Sequence, residues 1–394
     1  EVRKMRVRKI IISILIGLMF LAICSAVNAQ KTVTLKWVSS AGGISKKILD
    51  QSFRLFEEKH PNIKVDHIAI PARGWYDYFQ KVSVMIAGGT PPDSGWVAIE
   101  GNHLLIDKGM LEPLDKYIAR EREKLPLDDI HPALIRALLY QGKVYQIPFD
   151  FNNVVIWYNK KLYDKAGLPY PTEDWTINDF IEYAKKLTQD TNGDGRPDIW
   201  GFVFANEYFN GIVPWVFRAG GSILNDYWTE STLNEPECLD ALKFLNDLVH
   251  KYKVSPDPAG RLAASQAEQF VAGNVAMIQG GRWWQRTVRT EGGMTDYDVQ
   301  FLPKWRTDTV EIGVGGWPIF KTSKHKEETW ELLKFSISKE AQTLYAKLGL
   351  TIPSRRSIAT SDAFLNPPPD NAEIYYDPTL NRSQPVPSPL ESKR

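Results

Sequence analysis

The N-terminal part of the chain alternates between short strand-like segments and longer amphipathic ones. Every second residue is apolar around Thr32–Val38 and again in Ile63–Ile70, which predicts two half-buried β-strands. Apolar residues recur at helical spacing in Ile44–His60 and in Trp75–Ala87. This order of strands and helices predicts an α/β layer with a largely parallel sheet.

Two loops of this layer carry candidate ligand contacts. Ser40 follows the first predicted strand, and Glu100 follows a short third strand near Trp96. In open α/β sheets, ligands bind in the loops at the carboxyl ends of the strands. We therefore expect the hydroxyl and carboxylate groups of these loops to hydrogen-bond a polar ligand.

The second half of the chain contains a predicted crossing between two lobes. Val144–Tyr158 is strand-like on both sides of the polar segment Pro148–Asn153, and a further strand near Val299–Leu302 leads back. The chain is long enough for two lobes with a core each. Helices are predicted at Ile177–Thr188, Glu237–Tyr252 and Glu327–Phe335.

Residues 1–29 have the pattern of a signal peptide. Five basic residues precede an apolar run from Ile10 to about Ala26, and Val27-Asn28-Ala29 matches a cleavage site. We expect export and cleavage before Gln30, with an uncleaved membrane anchor as the alternative. The expected location is the periplasm or the extracellular space.

Charge and motif content exclude several classes of function. The chain has a formal charge of +1, and removing the five basic residues and one acidic residue of positions 1–29 leaves −3. This mixed surface gives no reason to expect nucleic-acid binding. Only Cys238 remains after position 29, so no intramolecular disulfide is expected there. No zinc, P-loop, dinucleotide or nucleophile-elbow motif is present, and we predict a protein that is not an enzyme and requires no cofactor. We also expect a monomer.

The segment Phe270–Trp284 contains a predicted aromatic platform. A short apolar strand ends at the pair Gly280-Gly281, and two tryptophans follow one residue later. We expect the glycines to permit positive φ and a sharp turn that sets the Trp283 indole on the rim of a cleft. An indole face on a rigid turn suits the C–H side of a sugar ring. The alternative is that both tryptophans are core residues, and Trp284 is expected to point into its lobe.

A run of acidic and amide residues resembles the first part of a calcium-binding loop. Asp190, Asn192, Asp194 and Asp198 occupy positions 1, 3, 5 and 9 of such a loop, and position 6 is a glycine. Position 12, where a bidentate glutamate is expected, is also a glycine. Two interpretations stay open: a structural calcium site, and an Asx-rich turn without metal.

Five motifs in one order resemble those of the extracellular solute-binding proteins of carbohydrate ABC importers, the maltose-binding-protein-like family. They span residues 31–357 and comprise a Pro-Pro-Asp strand followed by "IDKGMLEPLD", then "YQIPFDFNNVVIWYNKKLYDKAGL", "FVAGNVAMIQGGRWW", "GVGGWPIFKTSKHKEETWELLKFSISKEAQ" and "TIPSRRS". The resemblance implies an α/β fold of two lobes joined by a multi-segment hinge. Lobe one would contain residues 31–149 and 304–320, and lobe two would contain residues 150–303 and 321–394.

The resemblance also implies a ligand, a partner and roles for individual residues. A di- or oligosaccharide would bind in the cleft between the lobes, and a membrane ABC permease would receive it from the closed form. Trp283 would stack on the sugar, and Trp317 would be a further aromatic contact. The residues expected to hydrogen-bond the sugar hydroxyls are Glu100, Asn152, Glu207 and Tyr208.

Two other functions stay open from the sequence. A secreted glycoside hydrolase needs two carboxylates that flank the scissile bond, and Glu100 and Glu207 are the pair that a cleft would bring face to face. A sugar sensor or adhesin would bind the same ligand without transport.

Overall fold

The computed structural model describes residues 32–40, 42–205, 207–225, 228–257 and 265–387. The predicted signal peptide, residues 1–29, lies outside the described residues. In the described part of the chain, no helix combines the length and the apolar character needed to cross a bilayer.

The described residues form fourteen strands, fifteen α-helices and several short 3-10 or π-helical turns. The strands are β1 (Val33–Ser39), β2 (Ile63–Ala69), β3 (Ser94–Gly95), β4 (Val97–Ala98), β5 (Leu139–Tyr140), β6 (Lys143–Val144), β7 (Gln146–Asn152), β8 (Val155–Asn159), β9 (Trp200–Val203), β10 (Val275–Gly280), β11 (Tyr297–Gln300), β12 (Val310–Pro318), β13 (Ile352–Pro353) and β14 (Ser383–Pro385). The helices are α1 (Gly43–Lys59), α2 (Trp75–Ala87), α3 (Ile99–Asp107), α4 (Asp115–Glu121), α5 (Pro132–Ala137), α6 (Lys160–Ala166), α7 (Ile177–Leu187), α8 (Val213–Arg218), α9 (Pro236–His250), α10 (Gln266–Val271), α11 (Lys326–Ser336), α12 (Lys339–Lys347), α13 (Arg356–Ala359), α14 (Asp362–Leu365) and α15 (Asp377–Leu380).

The first group of sheets combines a parallel sheet with a mixed one. Strands β2, β1 and β3 pair in parallel, in that order, as the alternation of strands and helices predicts. Helix α1 covers this sheet because residues at helical spacing, such as Leu49, Phe53 and Phe56, are buried on one side. Strand β12 pairs antiparallel with β7 and with β4, and β13 pairs antiparallel with β7. Strand β14 pairs in parallel with β12. The prediction of a largely parallel sheet therefore holds for only part of this group.

The second group of sheets is a single four-stranded sheet with its own apolar core. Its strand order is β11-β8-β10-β9, and β8 pairs antiparallel with both of its neighbours. Helix α7 begins at a capping box formed by Thr176 and Asp179, which satisfies N–H groups of its first turn. Aromatic side chains such as Phe180, Phe202 and Trp215 fill the core between the sheet and its helices.

The chain crosses between the groups over two residues, Asn153 and Val154, because β7 ends at Asn152 and β8 begins at Val155. The predicted polar kink at residues 148–153 is thus mostly strand. The Val154 N–H donates to the buried Glu311 carboxylate on β12 at 2.5 Å, which ties the crossing to the first group. A second crossing connects β11 to β12.

Much of the segment 321–394 lies with the first group, so its assignment to lobe two is wrong for the described elements. Helix α11 packs on β1, α12 packs on α1, and β13 pairs with β7. Residues 356–380 contact both groups: the His131 N–H donates to the Tyr376 hydroxyl at 3.3 Å, and Gln285 Nε2 donates to the Pro368 carbonyl at 2.9 Å. Helical spacing identifies an apolar face but not the sheet that buries it. The remaining lobe boundaries stay predictions.

Candidate ligand-binding cleft

A cleft of about 380 Å³ is lined by residues of both sheet groups. Its volume lies in the range of small-molecule sites. The first wall of the cleft comes from the first group and consists of Ser45, Trp75, Trp96, Ala98, Glu100, Asp150, Asn152, Gly313, Val314, Gly315, Leu350 and Thr351. The second wall comes from turns beside the four-stranded sheet and consists of Glu207, Phe209, Asn210 and Trp283.

The first wall presents polar side chains from neighbouring strands. Asp150 and Asn152 are two residues apart on β7, so their side chains lie on the same face of the strand. Asp150 is 1% exposed, and its Oδ1 has no hydrogen-bond partner within the described residues. A Cβ on Gly315 of β12 would lie 2.1 Å from this oxygen. Because Gly315 has no side chain, the Asp150 carboxyl of β7 can lie against the backbone of β12.

Burial changes the protonation of the two carboxyl groups in the first wall. It raises the pKa of Asp150 well above its ordinary value; the Trp96 indole N–H opposes this shift, and the negative charge of Glu100 adds to it. Burial also raises the pKa of Glu100 to about 7. Near neutral pH, a protonated carboxyl in this wall can donate a hydrogen bond while a carboxylate accepts one.

The second wall places Trp283 beside the glycine pair that follows β10. Neither Gly280 nor Gly281 has positive φ, and the φ of Gly281 is −91°, so the predicted use of the pair is wrong. The pair instead makes room for the two indoles. A Cβ on Gly281 would lie 1.9 Å from the Trp283 ring, and one on Gly280 would lie 2.5 Å from the Trp284 ring. The two ring planes differ by 81°, and half-buried Trp284 packs against the apolar core outside the cleft lining.

The rest of the second wall is a turn of π-helix, Tyr208–Ile212, anchored to β10. Gln279 Nε2 donates to the Asn210 carbonyl at 2.6 Å, and the Trp215 indole N–H donates to Gln279 Oε1 at 2.6 Å. Asn210 is 6% exposed, and its Oδ1 has no partner in the described part of the chain. The Phe209 ring lies 6.1 Å from the Trp283 ring, so the wall combines two apolar rings with the Asn210 amide and the Glu207 side chain.

The structure brings together four of the seven predicted contact residues: Glu100, Asn152, Glu207 and Trp283. Their roles in binding stay predictions.

The other three predicted contacts lie outside the described cleft lining. Trp317 is fully buried, with its ring 4.7 Å from that of Trp37 and 5.2 Å from that of Phe149, because the space behind the first wall is filled by aromatic core. The Tyr208 hydroxyl donates to the Pro387 carbonyl at 2.9 Å, which draws it into a packing contact. Ser40 does not line the described cleft. Ser45, in the first turn of α1, lines it instead, because α1 approaches the cleft more closely than the preceding loop.

Several lining residues were not predicted from the sequence. Asp150 could have been found, because the period of two along a strand places it on the same face as Asn152. Trp75, Trp96, Phe209 and Asn210 carry no local signal that separates them from core or surface residues. They reach the cleft only through the packing of distant segments.

The predicted calcium ligands do not converge in this structure. The Asp198 carboxylate accepts from the Thr191 and Asn192 N–H groups, and the Asp190 carboxylate accepts from the Gly193 and Gly195 N–H groups. Asn192 and Asp194 each accept from the N–H two residues further on. Within the described residues, no three His, Cys, Asp or Glu side chains form a group that could hold a metal ion. The loop has the hydrogen bonding of an Asx-rich turn, and a calcium site here stays a prediction.

Comparison with known proteins supports the same fold. The family model described as "Bacterial extracellular solute-binding protein" matches residues 38–343. An ABC substrate-binding protein from Listeria monocytogenes, solved in complex with cycloalternan, is 30% identical, has a TM-score of 0.78, and is similar over 91% of this chain and 88% of that one. Maltose-bound MalE3 of T. maritima is 20% identical with a TM-score of 0.76 over 91% of this chain and 90% of that one, and so shows the fold. A maltotriose-binding protein of Pyrococcus abyssi is 25% identical over 66% of this chain and 53% of its own length.

Proposed function

Because the chain belongs to the family of bacterial extracellular solute-binding proteins, we propose that it binds a neutral di- or oligosaccharide and delivers it to an ABC permease. The sugar lies in the cleft between the two walls. Cycloalternan and maltotriose, which two relatives bind, support a carbohydrate as the ligand. The protein releases the sugar chemically unchanged.

One observation carries this proposal: the opposite walls each hold a buried oxygen that no described residue satisfies. These atoms are Asp150 Oδ1 and Asn210 Oδ1. A buried polar atom without a partner costs about 1–3 kcal/mol. Sugar hydroxyls both donate and accept, so one ligand can satisfy the amide oxygen, a carboxylate and a protonated carboxyl together.

The chemistry of the lining favours a neutral ligand. Trp75, Trp96 and Trp283 offer flat apolar faces for sugar C–H groups. The described lining contains three carboxyl residues and no Lys, Arg or His. An anionic solute would meet these carboxyl groups without a compensating cation, so its binding is disfavoured.

The two-wall arrangement also provides a delivery signal. A sugar that contacts both walls binds more tightly when they approach each other, so its binding shifts the population toward a closed form. The permease then distinguishes the closed form from the open one. Delivery of the sugar to a permease requires the permease to recognise the closed form, whereas sensing or adhesion would not involve a permease.

A thermal-shift screen with maltose, maltotriose and cyclic oligosaccharides tests the proposal. A bound sugar should raise the melting temperature, with about 2.7 kcal/mol of added stability at a hundredfold excess over Kd. Asn152→Ala should reduce the shift, whereas Asn381→Ala, an exposed asparagine outside the cleft, should leave it unchanged. Failure of every neutral sugar to shift the melting temperature would contradict sugar binding.

A reducing-sugar assay separates carriage from hydrolysis. The carrier should release no new reducing ends during prolonged incubation with any sugar that it binds. Release that disappears in Glu100→Gln or Glu207→Gln would identify a glycoside hydrolase instead.

A further inference from the structure

A second pocket, of about 320 Å³, adjoins the turn that carries Trp283. We call it the arginine pocket, because its lining includes Arg282, Arg286, Arg289 and Lys347. No Asp or Glu belongs to its described lining. Its charge is therefore opposite to that of the sugar cleft, whose described lining is acidic.

Arg282 is the unusual member of this pocket. Its side chain is 3% exposed, and its Nε and Nη1 have no partner in the described ranges. Nη2 donates to the Phe364 carbonyl at 3.3 Å, and the guanidinium lies 3.9 Å from the Phe364 ring centroid. Burial lowers the pKa of Arg282 to about 10, which leaves it charged at neutral pH. A buried cation with unfilled donors is destabilising unless an anion or solvent completes its coordination.

The neighbouring arginines are held in place by other contacts. Arg289 Nη1 donates to the Asn366 carbonyl at 2.9 Å. Arg286 Nη1 donates to the Ser45 hydroxyl at 3.2 Å, and its Nε pairs with Glu291 at 3.2 Å. Glu291 offsets part of the Arg286 charge but does not line the pocket. The contacts leave the pocket with positioned guanidinium groups rather than freely moving ones.

We propose that the arginine pocket binds the phosphate group of a small soluble anion. Guanidinium groups present N–H donors in a fork that matches phosphate oxygens, and several of them offset a double negative charge. The Nε and Nη1 donors of Arg282 supply the buried end of the site, and Lys347 supplies a charge at its exposed end.

The pocket also joins the two sheet groups. Arg282 and Arg289 follow β10 of the four-stranded sheet, whereas Lys347 ends α12, which packs on α1 of the first group. A phosphate bound between them would contact both groups at once. It would also hold the turn next to Trp283, so the pocket is placed to steady the second wall.

Calorimetric titration with inorganic phosphate, at constant ionic strength and with chloride as the reference salt, tests the proposal. A parallel titration with glycerol 3-phosphate distinguishes a phosphate ester from free phosphate as the preferred source. Saturable heat with either probe is expected, together with a higher melting temperature. Absence of both responses at about 10 mM of each probe, a concentration that would still stabilise a protein with millimolar Kd, would overturn the proposal.

Matched variants locate the binding. Lys347→Gln should weaken phosphate binding about two- to fivefold, as expected for one exposed charge. Lys339→Gln removes the same charge from the other end of α12, outside the pocket, and should leave the affinity unchanged. Equal weakening by both variants would show nonspecific attraction and would overturn the site.

Two further variants test the buried end. Arg282→Gln should weaken phosphate binding about tenfold or more, the scale of a hydrogen bond to a charged group. If that variant does not fold, Thr290→Glu replaces it, because Thr290 is exposed at the rim and a carboxylate there repels phosphate. Unchanged affinity in the folded variant would overturn the proposal. None of these measurements uses a sugar, so their outcome is independent of the proposed carbohydrate ligand.

Discussion

The two walls of the cleft are built on different kinds of backbone. The first wall lies mainly on strands and on the first turns of helices, and it holds Asp150 and Glu100 with raised pKa values. The second wall lies on irregular turns after β9 and β10, and it holds the rings of Phe209 and Trp283. The first wall thus holds two of the three carboxyl groups of the lining, on β7 and α3, whereas the second wall presents two rings, one amide and one carboxyl group on turns.

This difference follows from what each kind of contact requires. A buried carboxyl needs neighbouring backbone that cannot move, and paired strands provide it through the ladder of hydrogen bonds. A stacking ring needs only a flat apolar face and a defined direction, which the packing of Trp283 against Gly281 supplies. The first wall should therefore govern which hydroxyl pattern is accepted, and the second should supply apolar contact energy.

The support behind the first wall should show the largest effect on stability. Trp317→Ala removes a fully buried indole that packs on Trp37 and Phe149, and should lower the free energy of unfolding by about 3–5 kcal/mol. Urea denaturation followed by circular dichroism measures this change. Trp317→Phe, which leaves a smaller cavity, should cost less. A variant that keeps full stability but loses sugar would return Trp317 to the list of ligand contacts.

Removing the ring of the second wall should act on binding instead. Trp283→Ala should cost about 1–3 kcal/mol of binding free energy, a loss of roughly tenfold to a hundredfold in affinity, because it removes a large apolar face. Calorimetric titration with the sugar found in the thermal-shift screen measures it. Unfolding should change much less than in Trp317→Ala, since the ring is only partly buried.

Trp284→Ala is the matched control for that variant. Trp284 follows Trp283 directly, and both rings pack partly against apolar core, but only Trp283 belongs to the described cleft lining. It should lower the melting temperature while sugar affinity is kept. The reverse pattern, with Trp284 needed for binding and Trp283 for stability, would exchange the roles of the two rings.

The carboxyl groups of the first wall should make stability depend on pH. The pKa of Glu100 is raised from an ordinary 4.5 to about 7, so between these pH values the folded protein holds more protons than the unfolded chain. Stability should therefore fall as pH rises through this window. Glu100→Gln should flatten the fall by about 1–2 kcal/mol, a figure reduced from the full linkage energy because Glu100 is partly exposed. Melting curves of the ligand-free protein between pH 4.5 and 8 measure the slope.

The variant should retain part of the pH dependence, because burial also raises the pKa of Asp150 and raises that of Glu311 to about 8. A slope that is identical in the wild type and Glu100→Gln would show that Glu100 is not desolvated in solution.

The loop at residues 190–198 belongs to neither wall and should show the smallest effect. Its carboxylates already accept N–H groups of the loop, so calcium or a chelator should change stability by less than about 0.5 kcal/mol, the scale of a surface effect. Thermal melting with calcium and with EDTA measures it. A larger rise with calcium that is lost in Asp190→Asn would establish the calcium site.

Local patterns predicted the elements better than they predicted the contacts. The helix Trp75–Ala87 and the start of β2 at Ile63 agree with the structure, because burial on one face enforces a period that is visible in the chain. Trp317 was misplaced because a tryptophan beside glycines has the same local pattern in a cleft and in a core. The assignment of α11 to lobe two failed for a related reason: its apolar face could have packed on either sheet group.

The sequence by itself determined the α/β class, the family resemblance and the candidate turn at Gly280–Trp284, since these depend on residue types that are close together in the chain. Only the tertiary structure decided that Asp150 and Asn210 meet in one cleft with Trp75 and Trp96. It also decided that Arg282 is buried, with N–H donors that no described residue accepts, in a pocket lined by other positively charged side chains. Burial and pKa depend on the distances between atoms of segments that are far apart in the chain. Tertiary packing sets these distances, and the local pattern of apolar residues does not record them.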